Sequence, residues 1–87
     1  MPSHISDDER ERAVLYLIGE IPELTLMRIY EEFYTDPDWL VGQHFGIGMQ
    51  VRNLLRVGGF VWSDTVLDRE WEPILFEAAR RIYADSS

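Results

Sequence analysis

The chain has 87 residues, 46% of them hydrophobic and 13% aromatic, and its eight basic against sixteen acidic side chains leave a formal charge of −8. A chain of this length holds one core and buries roughly 60–65% of the surface its unfolded form exposes, which leaves no room for a second domain. The acidity argues against direct nucleic-acid binding, and the lack of any cysteine or lysine removes thiolate nucleophiles and metal sites, Schiff-base amines and phosphate-loop lysines.

Residues Met1 to Asp8 lack a basic start followed by an apolar run, and the longest uninterrupted apolar stretch, Ala13 to Ile18, falls far below the ~20 residues that span a bilayer. The expectation is a cytoplasmic protein with no membrane contact. Ser6-Asp7-Asp8-Glu9 reads as a capping box: the Ser6 hydroxyl accepts from the Glu9 amide while the Glu9 carboxylate reaches back. A first helix therefore starts at Asp7, with Val14, Leu17, Ile18 and Ile21 on one face, and ends at Gly19 or Pro22. Leu26, Ile29, Tyr30 and Phe33 give a second helix over Glu23 to Tyr34. Thr35-Asp36-Pro37 interrupts it, and Asp36 serves as N-cap with Pro37 at the first position of a third helix.

That third helix, from Pro37 to Val57, is apolar on nearly every side and reads as the central buried element. Gly42, Gly46 and Gly48 lie within it, and a kink is expected near Gly46. Gly58-Gly59 ends it, since paired glycines take the left-handed conformation readily. Residues 60–67 read as irregular or as a small hairpin turning at Ser63-Asp64. A last helix begins at Glu70 or Glu72, because Pro73 belongs in a first turn, and runs to Tyr83 before a fraying tail at 84–87. The fold class is thus all-α, a compact single-domain bundle of about four helices spanning 1–87, with flexible ends at 1–5 and 84–87.

The block His44-Phe45-Gly46-Ile47-Gly48-Met49-Gln50-Val51-Arg52-Asn53 concentrates the unusual choices. His44, Gly48 and Arg52 are four apart and share a helical face, which sets an imidazole and a guanidinium on either side of a gap. A neighbouring backbone or an aromatic ring fills such a gap in the simplest case, with Arg52 paired to Glu31, Glu32 or Asp36. Otherwise a ligand or a partner's side chain fills it, and His44, Gly48, Arg52 and Asn53 become the binding residues. The block resembles a family of small uncharacterised bacterial proteins in which an acidic helical start leads to HFG, a hydrophobe, GM, an often aromatic position, a hydrophobe, then RN. Gln50 stands here where that family often has an aromatic residue. The resemblance implies a recurring small bacterial domain and carries no activity with it.

No catalytic residue follows from the sequence. His44 has no serine beside it, and His4, the only other histidine, lies in the amino-terminal tail, so neither a catalytic pair nor a metal site is indicated, and no cofactor is implied. Gly46-Ile47-Gly48 lacks the preceding strand, third glycine and lysine of a phosphate loop. Three tryptophans and four tyrosines are hard to bury completely in so small a domain. A non-enzymatic protein–protein interaction module is the leading expectation, self-associating through an aromatic surface at Trp39, Phe60 and Trp62. The alternatives are an acidic inhibitor of a basic partner, of immunity-protein or antitoxin type, and a small-ligand or enzyme site around His44 and Arg52.

Overall fold

The computed structural model describes residues 5–35 and 44–86, with 44, 45 and 86 as backbone only. Four helices account for most of this: α1 (Asp7–Glu20), α2 (Glu23–Thr35), α3 (His44–Val57) and α4 (Asp64–Ser86), and the described residues contain no strand. None of these helices is long and apolar enough to cross a membrane.

α1 starts where the capping box places it. The Glu9 amide donates to Ser6 Oγ at 3.1 Å, and three acids in the first turn suit the positive end of the helix. The Glu9 carboxylate reaches back to the hydroxyl of Ser6, its Oε1 accepting from Ser6 Oγ at 3.4 Å. Its Oε2 accepts from Trp62 Nε1 at 2.8 Å, which ties α1 to the segment before α4. The helix runs through Gly19 to Glu20, where the Ile21 amide still reaches the Leu17 carbonyl, and Pro22 gives its carbonyl to Leu26 at the start of α2.

α3 ends in a Schellman motif. Gly59 takes φ +89°, the Gly59 amide donates to the Arg56 carbonyl, and the Phe60 amide donates to the Leu55 carbonyl. The Asp36 cap, Trp39 and the expected first part of this helix lie outside the described residues. The segment expected to be irregular or a hairpin is short: 60–63 is irregular, and α4 begins at Asp64. Ser63 caps it, accepting from the Val66 amide on Oγ at 3.3 Å and from the Leu67 amide on its carbonyl at 2.9 Å. Pro73 therefore sits in the interior of a 23-residue helix rather than in a first turn. The physical reason is burial. Leu67 and Trp71 before the proline share a face with Ile74, Leu75 and Ala78 after it, and all five are buried to 1% exposure or less. Proline costs a helix about 3 kcal/mol, which several fully buried large side chains at about 1.5–3 kcal/mol each outweigh. α4 continues past Tyr83 to Ser86.

The central element is α4, not α3. It packs against each of the other helices, whereas α2 and α3 make little contact with one another. α2 is held by aromatic pairs, Tyr30 stacked on Tyr83 at 4.6 Å and Phe33 tilted against Phe76 at 4.8 Å between centroids. α1 crosses α4 under polar ties. Arg10 reaches the buried carboxylate of Glu70 at 2.6 Å, and Arg81 binds Glu11 through both terminal nitrogens at 2.7 Å.

Candidate functional site

α3 carries the whole of the distinctive block, and its sides have different fates. The first faces α4. Gly48 lies under the indole of Trp71, close enough that a β-carbon there would meet Trp71 Cζ2 at 3.0 Å. The gap between residues 44 and 52 is therefore filled by an aromatic ring of the chain itself. Val51 and Leu55 follow at helical spacing and are buried.

The second side borders a shallow cleft of about 400 Å³ lined by Met49, Arg52, Asn53, Arg56, Asp64, Thr65 and Asp68. The two arginines form a ladder across the antiparallel α3–α4 pair: Arg52 Nη1 donates to Asp68 Oδ1 at 2.7 Å and Arg56 Nη2 to Asp64 Oδ1 at 2.6 Å. The acid opposite Arg52 is thus Asp68 rather than Glu31 or Glu32, and Asp36 lies outside the described residues. The register explains the difference, because residues 48 and 71, 52 and 68, and 56 and 64 face one another along the hairpin. Asn53 is exposed and accepts weakly from Arg56 at 3.5 Å. Each guanidinium already holds a carboxylate, so this cleft presents no open fork to a phosphate or carboxylate ligand.

The remaining sequence candidates are dispersed. The His44 side chain and all of Trp39 lie outside the described residues. Phe60 and Trp62 are half-buried under α1: Phe60 stands 5.7 Å from Tyr16 and 5.2 Å from Trp62, and Trp62 spends its indole N–H on Glu9. That N–H holds the Glu9 carboxyl below the usual carboxylate range against a smaller opposing effect of desolvation. The loop can lie this close to α1 because Gly58 has no side chain, since a β-carbon there would come within 2.7 Å of Tyr16 Cζ. Among the described residues no three histidine, aspartate or glutamate side chains converge to hold a metal ion.

A third side of α3 is the feature that sequence reasoning passed over. Because α2 and α3 stand apart, an apolar groove of about 250 Å³ opens between them, walled by Ile21, Ile29, Ile47 and Leu54, floored by Val51 and Leu75, and rimmed by Thr25, Arg28 and Gln50. It continues along the outer edge of α3 over Leu54 and Val57, flanked by Gln50 and Asn53, and Val57 is 82% exposed. The signal was present as Ile47, Gln50, Leu54 and Val57, a stripe at three- and four-residue spacing. A helix apolar on every side hides which stripe its neighbours leave open.

No family model matches the chain, and neither a curated protein nor a solved structure shows significant similarity to it.

Proposed function

We propose that this protein is a non-enzymatic protein–protein interaction module that meets its partner through the apolar face made by α3 and the facing edge of α2. The observation that carries the reading is the groove between those helices, continuous with exposed Val57 on a chain of net charge −8. The neighbouring polar cleft supports it from the other direction. Its arginines are neutralised by Asp64 and Asp68, and its only hydroxyl, that of Thr65, has no histidine among the lining residues to activate it.

The reading is tested by panning a displayed library of amphipathic helical peptides against the 15N-labelled chain and mapping the winners by amide shifts. Perturbations centred on Ile29, Ile47, Val51 and Leu54 are expected, with binding lost in Leu54→Glu. Winners that are basic and map instead to the acids of α1 and α4 would replace this reading with that of a charge-complementary inhibitor.

A further inference from the structure

The sixteen carboxylates of this chain are segregated. All of them lie before residue 39 or after residue 63, and the intervening 25 residues carry two arginines and no acid. Those arginines, Arg52 and Arg56, are turned to α4 and closed by Asp68 and Asp64. The outer face of α3, with Gln50, Asn53, Leu54 and Val57, is thus neutral as well as apolar, in a molecule whose other three helices carry every described acid.

We infer that this face is a self-association surface, on which a second copy of the chain docks α3 against α3 about a two-fold axis. The inference rests on the interaction-module reading above and names its partner. Charge selects the occupant. Two copies each at −8 repel wherever their acids approach, so a stable contact between them must use a region free of carboxylates, and α3 is that region. A basic partner has nothing to gain there, because the acids that would attract it lie on the other helices. The rim points the same way. Among the described lining residues Arg28 alone is charged, so the rim brings no carboxylate to the contact. Gln50 and Asn53 each carry a donor and an acceptor, which makes them self-complementary across a two-fold axis.

The decisive measurement is sedimentation equilibrium of the full chain from micromolar to millimolar concentration, at low and at high salt. The mass is expected to rise from 10.2 kDa toward that of a dimer, and the dimer fraction to increase with salt, because screening relieves the repulsion between copies without weakening an apolar contact. Gln50→Glu and Val57→Glu each set a carboxylate against its own symmetry mate and are expected to weaken association about tenfold or more, most strongly at low salt. Both positions are exposed, so helical circular dichroism should be retained in each variant. A monomer at every concentration and both salts overturns the inference, as does a dimer indifferent to both substitutions. Should the chain stay monomeric while panned peptides still map to Ile29, Ile47 and Leu54, the self-association surface falls and the interaction module stands. Failure of both experiments removes both.

Discussion

At the scale of single residues, two glycines in one helix do opposite things. Gly48 is a packing position, since its missing side chain is the space that the indole of Trp71 occupies, and Trp71 is wholly buried. Gly46, two residues earlier, meets nothing within 4 Å among the described residues. Gly48→Ala is expected to lose about 1–2 kcal/mol of stability through overpacking. Gly46→Ala is expected to gain about 0.5 kcal/mol from backbone entropy alone. Urea denaturation of the two variants checks the contrast, and a Gly48→Ala protein as stable as Gly46→Ala would show that Trp71 yields. The spacing of 44, 48 and 52 in the sequence did reveal a gap needing a filler. What it could not reveal was the filler, because Trp71 reaches Gly48 only once α4 starts early enough to lie in register with α3.

At the scale of elements, the legible parts were those written in local chemistry. Ser6 and the acids after it fix the start of α1, the apolar spacing from Leu26 to Phe33 fixes α2, and Gly58-Gly59 fixes the end of α3. The start of α4 is not legible locally because a rule about Pro73 stands against a collective one. Leu67 and Trp71 are in helical phase with Ile74, Leu75 and Ala78, and burying all five prevails over one missing amide. Ser63 is then a cap and not a hairpin turn. Ser63→Ala should cost about 1 kcal/mol, whereas Ser63→Asp, which keeps an acceptor for the Val66 amide, should be close to neutral. Thermal denaturation of the pair separates a capping role from a loop that tolerates any residue. The groove escaped sequence reading for a related reason. Helical periodicity assigns faces to a helix, but which face is left uncovered depends on how far α2 and α3 are held apart by α4.

At the scale of the whole molecule, α1 is fastened to α4 by a cluster of charges with a definite pH signature. Glu77 accepts from Arg80 at 2.6 and 3.0 Å and from Arg81 at 2.8 Å, and Arg81 in turn grips Glu11. The Arg80 guanidinium, and after it that of Arg81, hold the Glu77 carboxyl at about 2, below its ordinary 4.5, against an opposing effect of desolvation. Glu11 is lowered too, chiefly by its hydrogen bonds from Arg81. A carboxyl depressed in the folded state stabilises it fully above the unfolded value, and that contribution is lost as pH falls from about 4.5 to about 2. Because Glu77 is partly exposed, the contribution is discounted for screening to about 1 kcal/mol. Unfolding free energies measured from pH 6 to pH 2 should show Glu77→Gln weaker than the parent at the upper end, with the two converging at the lower.

The same cross-chain ties bear on the order in which the molecule can be assembled. α1 leaves the ribosome before the other three helices, yet its partners come 53 residues later at Trp62, 60 later at Glu70 and 70 later at Arg81. The α3–α4 hairpin closes over a short loop and carries its own ladder, so it can form as a local unit. The apolar face of α1 at Val14 and Leu17 must wait for it. During synthesis α1 is therefore an unshielded amphipathic segment until most of α4 has emerged, and the three acids of its first turn oppose its aggregation over that interval.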